Sequence, residues 1–481
     1  MDVSTLAIAL NYTNKQINKI KTEGFKIQVE TNRSILNGTG EEKVLYFIPK
    51  TTSKPQDGYD EVIYVNNSWE QVGSTEIDLS AYALKSEIIE EIYIGEETPS
   101  GEEVLWIDTR DDSTPSVNST VFGVVWDYSL SSPELTRLTP QTDPLGVVTT
   151  VPEQEPTACI GNDGNGQSDF DSYMPWSGMQ RYNYTNGQIT DFVSYDNGET
   201  YVYIPKFYSK IVNDTEESKM YFYIASSLVQ GFTLHKGSGR YVARYQCNSS
   251  FKSIPGTNPK VDTNLTDFRD GITAIDNYHF QYDIHTYNAL ELLYIVEFAN
   301  LNTQVAIGAG ITYSRAILTI GETDILAYHT GRVNGTADDV SAIQYRWIEN
   351  LWGNVNDWID GILIQDGKIY ICNDETLYAS SITNSYNDTG IVTLTSGSGW
   401  LRTENDYNNQ YIFPKTVGGS DSTYLCDNSW GSSELRGLSV GGYYSSRSVA
   451  GLFYWRGGSD PGYTSAYIGG RAVLILNNGG N

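Results

Sequence analysis

His279 and His285 stand six residues apart, with His235 and His329 far from them. No standard zinc pattern uses that spacing. Cys159, Cys247, Cys372 and Cys426 are equally scattered and form no CxxC pair, which argues against a zinc ribbon or a disulfide scaffold and fits folding in a reducing cytoplasm. The chain carries no G-x-S-x-G elbow, P-loop or H-E-x-x-H. Residues 162–172, NDGNGQSDFDS, have the composition of a calcium loop. They fail the EF-hand count, because a glycine at position six leaves Cys159 or Gly161 at position one. Asp163, Asp169 and Asp171 stay open as ligands of a structural calcium, against the alternative of a solvated acidic turn. No other cofactor is expected. Glu297, in YNALELLYIVEFANLNTQ, shares a helical stripe with Leu293 and Tyr294. A carboxylate there is a buried structural group or a catalytic acid. No histidine or second carboxylate stands at a useful spacing, which favours structure.

The chemistry the sequence supports better is recognition. Residues 441–476 read GGYYSSRSVAGLFYWRGGSDPGYTSAYIGGRAVLIL. Tyrosine offers a large rigid contact area at low entropy cost, and serine and glycine adapt it to a target. Tyr443, Tyr444, Tyr454, Tyr463 and Tyr467 are the candidate anchors, with Trp455. Ser445, Ser446, Ser459, Asp460 and Ser465 are the candidate polar contacts. Arg447 and Arg456 are basic exceptions in an acidic chain, suited to a target carboxylate or phosphate. The alternative is a tyrosine-rich loop covering its own domain. Ala450, Leu452, Phe453, Ile468, Val473 and Leu474 form the expected scaffold beneath.

A second aromatic cluster, YRWIENLWGNVNDWIDGI, holds Trp347, Trp352 and Trp358 within twelve positions. Core packing is the favoured reading, with sugar stacking by Trp347 or Trp352 as the alternative.

These residues need a scaffold, and composition bounds it. The chain has 481 residues and a formal charge of −28, with 36 Tyr and 45 Gly against 4 Met. Its length implies two to four domains. Such acidity repels phosphate backbones, so nucleic acid is excluded as a partner and anionic membrane is a poor one. No apolar run reaches transmembrane length, and no signal peptide is evident at the start. Tyrosine and glycine excess suits a β-rich, loop-rich protein.

Along the chain, residues 1–30 read as an N-terminal attachment segment with a short amphipathic element. VLYFIPKTT and EVIYVNNSWEQVG flank KPQDGYD and predict a hairpin in a small β domain over 31–76. Leu79, Tyr82, Leu84 and Ile88 recur near helical spacing after Ser80. A helix that short is marginal alone, so 77–92 is expected to be a trimerising neck. Residues 93–119 read as a strand and linker. Residues 120–481 read as one large domain, in which the spacing of Leu290, Leu293, Tyr294 and Phe298 predicts a helix over 287–304.

YFIPKTTSKPQDGYDEVIYVNNSWEQVGSTEIDLSAYALKSEI followed by LWID resembles the segment near the start of many phage tail-fibre and baseplate proteins. Downstream, VFGVVWDYSLSSPELTRLTP, SDFDSYMPWSGMQRYNY, VYIPKFYSK, the 287–304 segment, GNVNDW and AGLFYW followed by IGGRAVLIL resemble, in family order, the formylglycine-generating-enzyme-like branch of the C-type lectin fold. The fold class this implies is an α+β C-type lectin-like domain preceded by small β-rich tail-fibre domains and a short helical neck. The enzymes of that family use cysteines near the C-terminus, and 441–481 contains none, so their chemistry is not expected. Lectin-fold proteins diversified by phage retroelements carry asparagines that adenine-directed mutagenesis rewrites at this place. Tyr443, Ser445, Ser446, Tyr454, Arg456, Gly458, Ser459, Tyr463, Ser465 and Tyr467 occupy asparagine-like positions, and every one is a residue such rewriting of an AAC codon yields. Gly470 departs from the pattern, which usually has an aromatic there. The resemblance implies a homotrimeric phage receptor-binding protein, made in the host cytoplasm and carried on the virion tail. Its partners would be other tail proteins and a bacterial surface receptor, protein or glycan, with no bond-making chemistry. A tail polysaccharide depolymerase and a surface-displayed variable lectin of a bacterium are the alternatives.

Overall fold

The computed structural model describes residues 26–29, 36, 44–49, 59–65, 68–75, 91–95, 104–108, 119–334 and 341–476. The chain divides into two units, residues 1–113 and 114–481.

In the first unit, strands Lys26–Val29, Val44–Pro49, Tyr59–Val65 and Ser68–Thr75 form a sheet in sequence order. The expected hairpin is present: Leu45 pairs with Ile63 and Pro49 with Tyr59, antiparallel. Tyr46 and Ile48, two residues apart, are both buried on one face with Val62, as the two-residue strand period requires. Trp69 meets Tyr46 edge-on at 4.9 Å. LWID lies within a strand, Val104–Asp108, parallel to Glu91–Gly95. That pairing corrects the end of the expected neck, because Glu91 and Ile92 are in a strand. Residues 77–90 and most of the 1–30 segment lie outside the described residues.

The second unit is β-rich, with few helices. Its organising element is helix α1, Ile284–Phe298. It begins three residues earlier than the apolar spacing predicts, because the Asp283 carboxylate accepts the Thr286 N–H at 2.8 Å and caps it. It stops at Ala299, whose φ of 48° is left-handed. Leu290, Leu293, Tyr294 and Phe298 are buried as expected, but so is every other residue of the helix. One side packs on strands Val121–Asp127 and Lys219–Ala225 of a five-stranded sheet. Another packs on Asn356–Gln365 and Tyr411–Val417 of a nine-stranded array. A helix between two sheets has no wet face, so its polar residues His285, Asn288, Glu291 and Glu297 are buried with the apolar ones. Each fully buried Leu, Ile or Phe contributes about 1.5–3 kcal/mol.

Asn356–Gln365 sits centrally in the nine-stranded array, between Lys368–Cys372 and Arg436–Val440. Arg436–Val440 leads to Trp455–Ser459, then Asn428–Gly431, then Gly397–Tyr407. The tyrosine-rich stretch therefore begins and continues inside a sheet built from remote segments.

Candidate functional site

The GNVNDW motif is the clamp beneath the candidate face. Trp352 and Trp358 are wholly buried, and their indole N–H groups donate to the carbonyls of Gly308 and Thr263, each at 3.0 Å. Gly353 has φ +82°, and a Cβ there would stand 2.7 Å from the Ile311 nitrogen, so only glycine fits. Gly441 likewise has φ +86°, with the Leu351 carbonyl 2.6 Å from where a Cβ would sit. The Gly353 N–H donates to the Gly441 carbonyl at 3.2 Å. The Asn354 side chain accepts from the Leu318 N–H at 2.9 Å and donates to Gln246 Oε1 at 3.2 Å. Its backbone carbonyl accepts the Tyr444 N–H at 3.0 Å. Asn356 donates its backbone N–H, at 2.9 Å, and its side-chain N–H, at 3.3 Å, to the Tyr467 carbonyl. Asp357 accepts from Arg471 Nε at 2.7 Å.

On this clamp the tyrosines converge. Tyr443 stacks on Tyr467, centroids 4.6 Å apart at 25°. Tyr444 meets Tyr443 edge-on at 5.4 Å. The Tyr463 and Tyr467 hydroxyls share a hydrogen bond of 2.8 Å. That bond raises the Tyr463 phenol pKa. For Tyr467, burial pushes the phenol up, but the bond to Tyr463 and the nearby Ser465 and Arg456 outweigh it and the pKa falls. The Arg456 guanidinium lies 5.5 Å over Tyr467 and 5.6 Å over Trp430. Arg447, exposed, lies 4.4 Å over Tyr313.

Ser445 and Asp460 are also exposed, and Asp460 caps its own turn by accepting the Gly462 N–H at 2.7 Å. Five candidates are not on the surface. Tyr454 and Trp455 are each 2 % exposed and belong to the core. Along Trp455–Ser459, Trp455 points inward and Arg456 outward, so alternation separates neighbours that composition groups together. Ser446, Ser459 and Ser465 are buried too. Ser446 Oγ accepts the Tyr443 N–H at 2.9 Å, and Ser459 Oγ accepts from Arg456 Nε at 3.3 Å. They shape the face from below.

Two aromatic members were missed in the sequence. Tyr313 is 57 % exposed and Trp430 39 % exposed. Nothing in NSWGSS or ITYSR marks them, because each reaches the face through pairing with a remote segment. The Ser314 N–H donates to the Tyr444 carbonyl at 2.6 Å, and Trp430 pairs with Arg456 across adjacent strands.

The other candidates have structural roles. Glu297 is buried and ion-paired with Arg346; it accepts from Tyr345 at 2.9 Å and from Ser168 at 3.0 Å. Trp352 has no exposed ring, which closes it as a sugar-stacking platform, and Arg181 covers one face of Trp347 at 3.7 Å. All four cysteines are free and buried. Cys426 is far from thiolate character, its pKa pushed up to about 12 by burial. Asp163 caps its own turn at Asn165, Asp169 accepts from the N–H groups of Glu153 and Gln154, and Asp171 holds Arg346 at 2.7 Å. Their carboxylates are thus engaged separately. Among the described residues, no group of three His, Cys, Asp or Glu is placed to hold a metal ion, and no helix is long and apolar enough to cross a membrane. Glu199 and Asp276 both line a cavity of about 300 Å³. Asp276 accepts from Tyr184 at 2.5 Å, and Glu199 accepts from Tyr201 at 3.0 Å and from the Ser253 N–H at 3.1 Å, so both carboxylates are committed to the fold.

No family model matches this chain, and no curated protein matches it. Among solved structures it is similar to the U1 variant of Major Tropism Determinant, at 12 % identity and a TM-score of 0.25, covering 94 % of this chain and 100 % of that one. The P3c variant is similar at 11 % identity and a TM-score of 0.25, covering 93 % of this chain and 99 % of that one.

Proposed function

We propose that this chain is an adhesin of a phage tail, and that it binds a bacterial surface receptor through the face formed by Tyr443, Tyr444, Tyr463, Tyr467, Arg447 and Arg456. The observation that carries the reading is the manner of support. Tyr444 and Tyr467 are held through their backbone N–H and carbonyl groups, by Asn354 and Asn356. Such bonds do not depend on which side chain the position carries. The side chains can therefore change while the scaffold stays, as a diversified binding face requires. A rigid clamp below and rings with two rotatable bonds above also lower the entropy cost of binding.

In this reading the domain of residues 120–481 is C-type lectin-like, and the asparagine-like positions that are not buried, Tyr443, Ser445, Arg456, Gly458, Tyr463 and Tyr467, are those rewritten by a retroelement. The N-terminal unit attaches to the tail and three chains assemble together. Modest affinity per face becomes avidity across three copies. The protein makes and breaks no bonds.

The test is binding of the full-length protein to a panel of bacterial strains, comparing wild type with a Tyr443→Ala, Tyr463→Ala, Tyr467→Ala variant matched in circular dichroism and assembly state. The expected result is strain-selective binding that the triple variant loses. Undiminished binding by a folded variant moves the receptor site off this face.

A further inference from the structure

Beside the tyrosine cluster lies a groove of about 360 Å³, lined by Gly397, Ser398, Trp430, Gly431, Ser432, Arg456 and Gly458. Its volume is at the low end of small-ligand sites, about 300–1,000 Å³. Sheet register builds it. Ser398 pairs with Trp430, and Trp430 pairs with Arg456, across three adjacent strands. Directly paired residues project to the same face, so a hydroxyl, an indole and a guanidinium stand in one row. The groove exists because two flanking positions lack side chains. A Cβ on Gly397 would meet nothing within 4 Å, and one on Gly458 would meet only Trp430 Cβ at 3.9 Å.

Two features define what would fill it. Trp430 is 39 % exposed, against complete burial of Trp126, Trp176, Trp352 and Trp358. An open indole on a polar floor suits a flat ligand with C–H groups on one side and hydroxyls on the other. Arg456 is the second feature. Arg240, Arg244, Arg269, Arg346 and Arg471 each hold a carboxylate. Arg456, like Arg181, Arg332, Arg402 and Arg447, has none within 4.0 Å among the described residues, and of these it is the one that lines the groove. It is instead steadied between Trp430 and Tyr467, with its Nε on Ser459. A guanidinium held in place without an acid is ready for a bidentate carboxylate from outside.

We propose that this groove is a subsite for an acidic sugar, with the ring on Trp430, its carboxylate on Arg456 and its hydroxyls toward Ser398 and Ser432. The proposal rests on the adhesion reading, because it names the chemistry of the receptor met by that face.

The experiment titrates the full-length protein with glucuronate, galacturonate and N-acetylneuraminate, with glucose and galactose as controls, followed by calorimetry and tryptophan fluorescence. The same sugars compete for bound cells. At least one acidic sugar binds, the neutral ones do not, and it displaces the protein from cells. Trp430→Ala and Arg456→Gln each weaken binding about tenfold or more. Gly458→Val, which fills the groove while leaving Trp430 and Arg456 in the sequence, does the same. Binding of neutral and acidic sugars alike, or equal binding by wild type and all three variants, overturns the proposal. So does cell binding that no acidic sugar displaces, which would leave adhesion standing through a protein receptor. Acidic-sugar binding without attachment to any strain would count against the adhesion reading alone.

Discussion

Asn356 directs two donors, its backbone and side-chain N–H groups, at a single carbonyl, that of Tyr467. Asn354, two residues earlier, accepts the Tyr444 N–H. One short motif therefore sets the spacing between two ends of the aromatic face, and its neighbours Trp352 and Trp358 anchor it in the core. Recognition by mobile side chains depends on a backbone that does not move with them.

The first prediction concerns that clamp. Asn354 is wholly buried, its side chain makes bonds to Leu318 and Gln246, and its φ is +63°. Asn354→Ala leaves those partners unsatisfied in a backbone region alanine disfavours, and is expected to cost about 3 kcal/mol. Asn354→Gly keeps the backbone allowed and costs less. Urea midpoints of the two variants check the order.

Burial separates tyrosines that the sequence treats alike. Tyr454 is 2 % exposed and Tyr463 39 % exposed. Tyr454→Ala opens a cavity and is expected to destabilise by about 3–5 kcal/mol. Tyr463→Ala changes stability by no more than about 0.5 kcal/mol, while it weakens receptor binding. Thermal unfolding beside cell binding separates the two effects, and equal stability loss would refute the assignment.

Glu297 and Arg346 form a buried pair, supported by Tyr345 and Ser168. Glu297→Ala leaves the buried guanidinium with Asp171 as its one remaining carboxylate and is expected to cost about 3 kcal/mol. The loss appears in denaturant midpoints. Any such variant that remains folded keeps its receptor binding, as a structural carboxylate requires.

His279 gives the fold a pH dependence. It is buried, with Asp276 2.7 Å from Nδ1 and Glu199 3.5 Å from Nε2. Burial pushes its pKa down, but these two carboxylates push it up further, to above its ordinary 6.5. The native state thus holds the proton more tightly than the unfolded state. Its contribution is complete below 6.5 and fades as pH rises through the native value. The Asp276 carboxyl moves the other way: burial raises it, but Tyr184 and His279 bring it below 3.8. Its contribution is present above that value and disappears on acidification. His279→Gln is expected to flatten the stability profile on the alkaline side of pH 6.5, measured as melting temperature against pH.

The sequence determined what could be read over a short span. Alternation and a Pro/Asp/Gly turn specify the hairpin from Val44 to Val65, and apolar spacing specifies most of α1. Three tryptophans around a glycine in YRWIENLWGNVNDWIDGI mark a packed centre, and the Tyr/Ser/Gly/Arg run marks the candidate face. Each rests on local periodicity or composition, which a window of ten to twenty residues contains. The tertiary structure decided direction and company. Whether Trp455 or Arg456 faces outward depends on strand pairing, since alternation sends neighbours to opposite sides. That Trp430 joins Arg456 depends on a parallel pairing between segments about 25 residues apart. That Glu297 meets Arg346 depends on the packing of helix against sheet. A side chain's chemistry is fixed by its own residue, whereas its exposure and its partner are set by chain segments it cannot reach until the whole domain has closed.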